Sequence, residues 1–501
     1  MKKNKEKVVI GDEGIFDARK LGTSKMIVLG FQHMFAMFGA TVLVPLLTGL
    51  DVATTLLCAG LGTLLFHLIT GGKVPAFLGS SFAFLGGYAA ITGLAGTAGY
   101  ENMTKAQLLP YACLGVAAAG IVYLILAALI KMIGVNKVMK FFPPVVTGPI
   151  IIAIGLGLAG SAVSNCNNNW LIAVIALAII IVFNVWGKGM AKIIPILLGV
   201  LGSCAIAAIL ALTCGETITA SDGLQYIAIA GKENLKLFSV SAIDGLKNAA
   251  WFGVPVFWGK TVFGGVDFKN TSLIISSIVA IVPISLATMM EHIGDISAIS
   301  STVGRNYIQN PGLHRTLVGD GLATTCAALV GGPANTTYGE NTGVLALSKV
   351  YDPRVIRLAA IFAAVLSFCP KFEALINLIP TAVIGGISFV LYGMISAVGV
   401  RNVVENRVDF SKSRNLIVAA IILVCALGLG SVDFTIGGVA ISLSALAVAS
   451  IVGIILNAIL PGKDYDFGDA EKAAKLGEPA ILATALDTDG KERDKIEKTN
   501  K

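Results

Sequence analysis

The stretch Gly331-Gly-Pro-Ala-Asn-Thr-Thr-Tyr-Gly-Glu-Asn-Thr-Gly343 decides how this chain is read. It lies between an apolar run at about 315–332 and the resumption of apolar sequence at Val344-Leu-Ala-Leu347, at what should be membrane depth. It is too polar to face lipid as a continuous helix. Irregular backbone survives there only when it is buried in protein or lines a wet cavity, because hydrocarbon offers no partner to a free N–H or C=O. A counterpart occurs far upstream in Val74-Pro-Ala-Phe-Leu-Gly-Ser-Ser-Phe-Ala-Phe-Leu-Gly-Gly87, also interrupted by Gly, Pro and small polar residues. Paired interruptions at corresponding places in two halves of a chain point to a transporter's binding site.

Composition sets the solvent. Of 501 residues, 55% are hydrophobic and 13% charged, against roughly 25% charged in soluble domains. The apolar residues gather in runs of about 17–25, the length that crosses a hydrocarbon core of about 30 Å. About fourteen such runs can be drawn. The first seven lie near 28–48, 52–70, 75–95, 108–130, 146–164, 170–186 and 193–213. The second seven lie near 272–293, 315–332, 336–350, 354–370, 376–396, 415–430 and 435–460. Seven is odd, so equivalent runs of the two halves cross in opposite senses, as an inverted repeat requires. The expectation is an all-α polytopic membrane protein built as a 7+7 inverted repeat.

Loop charges test that count independently. If both lysine-rich termini are cytoplasmic, the inside connections hold Lys73; Lys131, Lys137 and Lys140; Lys188 and Lys192; Arg305 and Arg315; Lys349, Arg354 and Arg357; and Arg401, Arg407, Lys412 and Arg414. The short outside connections hold little beyond Lys105 and Lys371. This is the positive-inside asymmetry, and it alternates without a break. The net charge of +7 is thereby an orientation signal and not a nucleic-acid footprint. One outside connection, 215–271, is long and locally neutral, and its Trp251, Phe252, Val254, Val256, Phe257 and Trp258 suit an extracellular cap at the membrane interface. The N-terminal segment 1–24 is hydrophilic and lacks signal-peptide architecture. The tail 462–501 is charged and poor in apolar residues.

Carboxylates inside spans cost roughly 2.5–3.5 kcal/mol each on insertion scales, so each calls for a reason. All four lie in the second half: Glu291, Asp295, Asp320 and Glu340. Glu291 and Asp295 are four apart and share a helical face. In a low dielectric both cannot ionise cheaply, so the pair shares a proton, which suits a proton-coupled carrier. Glu340 falls in the first turn of a half-helix, whose positive end favours its charge. His33, beside Gln32 in the first run, makes a small polar spot and is a weaker coupling candidate, whereas His292 faces about 100° away from Glu291. The eight cysteines show no metal-ligand spacing. Glu291-His-Ile-Gly-Asp295 is not HExxH, and neither a P-loop nor a GxSxG elbow occurs, so no enzyme and no ATP-driven pump is indicated.

Glu340-Asn-Thr-Gly343 followed by Ser348-Lys349 resembles the signature of the nucleobase–ascorbate transporter family. Gln32-His33, the run Ala36–Pro45, Pro75–Phe84, Asn335–Asn341 and Pro311–Arg315 resemble its bacterial uracil permeases in particular. The resemblance covers about 25–460. It implies a core domain (25–135 and 272–372), a gate domain (136–214 and 373–461), and two short strands pairing antiparallel within broken spans 3 and 10. It implies uracil as substrate, imported with protons by alternating access in the cell membrane, without a cofactor, and leaves a homodimer open. The base would be held by Glu291 and Glu340, flanked by Phe82 and Tyr338, reached by amides near Phe82 and Gly339, with Ala40 lining the pocket. A carboxylate would accept from the N–H side of uracil. Proton coupling would fall to Glu291, Asp295, Asp320 and His33. Asp295, commonly His in the uracil members, and Asp320 are closer to the xanthine members, which carry Gln where this chain has Glu340. A xanthine or other purine carrier is therefore the first alternative. An anion channel or exchanger of similar architecture is the second, although it would want a basic group at the broken segments, and 74–87 and 331–343 hold none.

Overall fold

The structure, a computed structural model, describes residues 14–97, 100–134, 137–138, 140–436 and 439–462. The tail and the first thirteen residues of the N-terminal segment lie outside the described residues. Helices of eight residues or more are numbered in chain order. The first half carries α1 (Thr23–Thr48), α2 (Val52–Ile69), strand β1 (Leu78–Ser80), α3 (Leu85–Thr92), α4 (Lys105–Ile133), α5 (Pro144–Gly157), α6 (Ala159–Cys166), α7 (Trp170–Val185) and α8 (Pro195–Cys214). The long connection contributes β2 (Gly215–Thr219), β3 (Gln225–Ile229), β4 (Lys236–Ser239) and α9 (Val240–Asn248). The second half carries α10 (Thr271–Ile281), α11 (Ile284–Val303), α12 (Leu313–Leu329), β5 (Asn335–Thr337), α13 (Glu340–Ser348), α14 (Pro353–Leu366), α15 (Pro370–Asn377), α16 (Thr381–Glu405), α17 (Ser413–Gly428), β6 (Ser431–Ile436), β7 (Val439–Ser444) and α18 (Ala445–Ile459).

The chain is a mostly helical, multi-pass membrane protein. Among the described residues seven helical stretches are long and apolar enough to cross a bilayer, among them α1, α2, α4, α8 and the pair α10–α11. Helices α14 and α15 meet at 89°, a break at Cys369-Pro370. Helix α12 lies against α4 and α2, and α14 against α2 and α1, while α16 lies against α5, α6 and α7, and α17 against α5 and α18.

Three boundaries differ from the sequence reading. The eighth run was expected to end near 293, but α11 continues to Val303 and stops at Gly304 in the left-handed region (φ 71°). Ser297 and Ser300 return their hydroxyls to the carbonyls of Ile293 and Ile296, at 2.8 and 2.6 Å. A stretch of low hydropathy thus stays helical, and Asp295 sits mid-helix instead of at its end. Secondly, 435–460 is not one helix. Val432, Phe434, Ile436 and then Val439, Ile441, Leu443 alternate around Gly437-Gly438, a hairpin pattern, and β6 pairs with β7 antiparallel before α18 begins. Thirdly, the 215–271 connection holds an antiparallel sheet, β2–β3–β4, whose first turn contains Asp222-Gly223 with Gly223 at φ 78°. An all-α description is therefore corrected by these five strands. Trp251, Phe252, Val254, Phe257 and Trp258 are exposed.

Candidate functional site

The two interrupted stretches meet. β1 and β5 pair antiparallel, with Leu78 opposite Thr337, Gly79 opposite Thr336 and Ser80 opposite Asn335. The ribbon extends by one bond at each end: Tyr338 N–H donates to Phe77 C=O, and Ser81 N–H to Ala334 C=O, both at 2.9 Å. A two-stranded ribbon leaves backbone groups free on both outer edges, and a buried unpaired N–H or C=O is costly. Threonines close those edges. On β1 the Thr63 hydroxyl of α2 accepts from Leu78 N–H (2.9 Å) and donates to Leu78 C=O (3.3 Å). On β5 the Thr324 hydroxyl of α12 accepts from Asn335 N–H (3.3 Å) and donates to Asn335 C=O (2.9 Å).

The side chains of the turn after each strand build the site. Tyr338 donates its hydroxyl to Ser80 C=O at 2.8 Å, and Ser80 Oγ donates to Thr41 C=O of α1 at 2.8 Å, next to the buried Ala40. The Tyr338 ring lies across Gly79, where an added Cβ would come within 2.7 Å of it and 2.8 Å of Thr41 Oγ1. Phe82 is buried, and its ring meets Tyr392 of α16 edge-on at 6.1 Å between centroids.

Glu340 is the first residue of α13; its side chain lies outside what the structure describes. Gly339 precedes it, and a Cβ there would stand 3.0 Å from Asp295 Oδ1. Asp295 therefore abuts the turn between β5 and α13, with Glu291 one turn earlier on the same face of α11. Asp320 is not part of that pair. It is fully buried on the other flank of β5, where Thr337 Oγ1 donates to its Oδ1 at 3.1 Å, and His292 Nδ1 lies 2.8 Å from Thr337 Oγ1 and 3.4 Å from Asp320 Oδ1. His33 is fully buried on α1, and its carbonyl accepts from Asn341 Nδ2 at 3.4 Å.

Sequence reasoning missed the partners that make these residues a unit: Thr41, Thr63, Ser80, Thr324, Thr337, Asn341 and Tyr392. It set His292 aside because that side chain points away from Glu291; the direction in which it points is toward β5 and Asp320. Several buried polar atoms on elements that converge on the ribbon have no partner among the described residues: both ring nitrogens of His33, Ser81 Oγ, Asn341 Oδ1, Thr342 Oγ1 and Asp320 Oδ2. A run of small hydroxyls and amides in otherwise apolar helices was the signal available, and it is a weak one.

Comparison with known proteins follows this geometry. The model of a permease family matches residues 24–434. The chain belongs to the nucleobase–ascorbate transporter family. It is 41% identical over 446 residues to a uracil permease of Bacillus caldolyticus, covering 87% of this chain and 92% of that one. A uracil permease of Bacillus subtilis (strain 168) is 38% identical over 456 residues, covering 88% and 94%, and one of Escherichia coli (strain K12) 35% over 446 residues, covering 86% and 90%. Among solved structures, the transmembrane domain of a cyanobacterial bicarbonate transporter, BicA, superposes with a TM-score of 0.56 at 14% identity, covering 89% of this chain and 99% of that one. SLC26A9 does so at 0.59 and 13% identity, covering 89% and 66%. At such identities the likeness concerns the fold alone. Permeases of this family are transporters, and the ribbon brings Thr63, Ser80, Thr324, Asn335, Thr337 and Asp320 together in this member.

Proposed function

We propose that the protein is a uracil permease of the cell membrane that imports the base together with protons. The observation that carries this reading is the convergence of Phe82, Tyr338, Gly339 and Asp295 at one paired ribbon, next to the start of α13 where Glu340 stands. Relatives named for uracil at 35–41% identity over most of the chain support the substrate. Uracil carries two N–H donors and two carbonyls. A carboxylate at Glu340 accepts from the donors, and backbone amides beside Phe82 and Gly339 meet the carbonyls. In its protonated form Glu291 donates to a uracil carbonyl, then releases its proton on the inner side, so that substrate and proton travel together.

In this reading the fourteen crossings form a 7+7 inverted repeat, with both termini cytoplasmic. Helices α1–α4 and α10–α14 make a core carrying the site, and the remaining helices make a gate that moves against it. The matched threonine closures of β1 and β5, each from the helix before its strand, support a repeat. The Phe82–Tyr392 contact supports a binding site between core and gate. Lipid surrounds the protein, and the resemblance leaves a homodimer open.

The test is uptake of radiolabelled uracil into proteoliposomes, with and without an imposed inward proton gradient. Accumulation above equilibrium only with the gradient is expected. Displacement of label by xanthine at a tenfold lower concentration than by uracil would assign the protein to the purine carriers instead. Asp295 and Asp320, which resemble the xanthine members, make that the comparison of choice.

A further inference from the structure

Four stretches distant in sequence line an open cavity of about 730 Å³ at the end of the molecule that carries the N-terminal segment. They are residues 16–19, the turn at Gly72-Lys73 after α2, the connection 305–310 between α11 and α12, and the start of α14. The volume falls in the range of small-molecule sites, roughly 300–1,000 Å³. Its lining holds five cationic side chains against two carboxylates.

Both carboxylates are already engaged. Asp17 accepts from the Arg19 guanidinium at 2.8 and 2.9 Å and from Arg354 at 3.0 Å. Asp352 caps α14, accepting from Ala18 N–H at 2.8 Å and Arg354 N–H at 2.9 Å. Three cations remain. Lys73 donates to the neutral amide oxygen of Asn310 at 2.6 Å, and Arg305 lies 4.0 Å over the Phe16 ring. Arg357 is half-buried. Among the described residues, none of the three pairs with a carboxylate. The positive-inside rule accounts for cations on this face but not for their convergence around a concavity, where like charges repel. The first turn of α14, a helix of 14 residues, adds the positive end of its dipole.

We infer that this cavity binds a phosphate-bearing anion, either a soluble phosphoester or the headgroup of an anionic lipid. Two guanidinium forks and an ammonium complement phosphate oxygens, and the volume leaves room for the organic part that a bare ion lacks. The inference is independent of what the ribbon carries.

The experiment uses the purified full chain. Uridine 5′-monophosphate, with uridine as the uncharged control, tests the soluble source by binding and thermal shift in the presence of saturating uracil. Native mass spectrometry after reconstitution with phosphatidylglycerol or phosphatidylcholine tests the lipid source. Binding of the monophosphate but not uridine, or retention of phosphatidylglycerol but not phosphatidylcholine, is expected, and each result names its source. The effect should weaken at least tenfold in R305Q/R357Q while persisting in K188Q/K192Q, which alters two basic residues outside the cavity; a monodisperse sizing profile and an unchanged thermal midpoint without probe report that both variants are folded. Binding of neither probe, binding that survives in R305Q/R357Q, or equal loss in the control pair would overturn the site.

Discussion

The outer edge of β1 is closed by Thr63 from α2, and the outer edge of β5 by Thr324 from α12, with the same pair of hydrogen bonds to one residue of each strand. Each strand is then followed by a short helix, α3 or α13. Beyond the backbone the likeness ends. The first arm offers Ser81 and Phe82 and no ionisable group between Val74 and Gly87. The second offers Glu340, and the helices around it carry Glu291, Asp295 and Asp320. Two arms with matching backbone closures thus differ in that only the second has carboxylates in it and on the helices around it. On the proposed reading the first arm contributes shape and backbone dipoles, and the second contributes the carboxylates that bind and couple.

The largest effect should come from the charged side. Glu291→Gln fixes that side chain in a neutral form. It is expected to abolish uphill accumulation of uracil under an imposed pH gradient while leaving exchange of uracil across the membrane intact. Gradient-driven accumulation that persists in this variant would move coupling to another carboxylate, with Asp320 the next to test.

Binding should divide along the same line. If Glu340 is the carboxylate acceptor proposed above, Glu340→Ala removes a hydrogen bond to a charged group, worth about 1.5–3 kcal/mol, and uracil affinity should fall by about 10- to 100-fold. Phe82→Leu keeps an apolar side chain and alters only its shape, so a loss of several-fold at most is expected. Isothermal titration on folded, monodisperse protein measures both. An equal loss in the two variants would break the division of labour between the arms.

Stability should show the opposite symmetry. Thr63→Val and Thr324→Val each keep the branched shape and remove the hydroxyl, leaving one buried N–H and one C=O unpaired. The cost is roughly 1–3 kcal/mol per unsatisfied group, and the two variants should lower the thermal midpoint by similar amounts. A cost at one threonine and none at the other would mean that the two ribbons' edges are closed alike in geometry but not in energy.

How much of this was legible in the sequence follows from which signals are local. Both arms announced themselves, since thirteen consecutive residues from Gly331 to Gly343 that include Pro, Asn, Thr and Glu cannot be a lipid-facing helix. The carboxylates were legible for the same reason: hydrocarbon makes each of them conspicuous. The end of α11 was misjudged because hydropathy counts Ser297 and Ser300 as polar, whereas their hydroxyls are satisfied by the helix itself. The strands β6 and β7 were hidden by a run whose hydropathy suits a helix, although its alternation around two glycines does not. Thr63 and Thr324 carried only the weak signal of a hydroxyl in an apolar helix, because a threonine that closes a strand edge looks like any other threonine until the strand is beside it. The cationic cavity was read only as topology, since Lys73, Arg305 and Arg357 come from two separate connections and the start of α14.

The smallest effect concerns a second meeting of the two halves, on the opposite side from the cationic cavity, where each contributes one carboxylate. Asp51 caps α2, accepting from Thr54 N–H at 2.9 Å and from Lys260 Nζ at 3.1 Å. Glu373 on α15 lies beside it. Burial, and then the neighbouring Asp51 carboxylate, push Glu373 up to about 7 from its ordinary 4.5, while Lys260 works in the other direction. A group whose folded value is raised stabilises the fold when protonated. That contribution is complete below about pH 4.5, where the unfolded chain is protonated as well, and is lost as pH rises through 7. The thermal midpoint of the purified protein should therefore decline between pH 5 and 8, and Glu373→Gln should flatten that part of the decline. Lys260→Met, by removing the opposing cation, should carry the decline to higher pH and make it larger in total. A Glu373→Gln profile that runs parallel to the parent would show that this carboxyl ionises like an exposed one, and that charge shared by both halves is handled no differently from charge held by one.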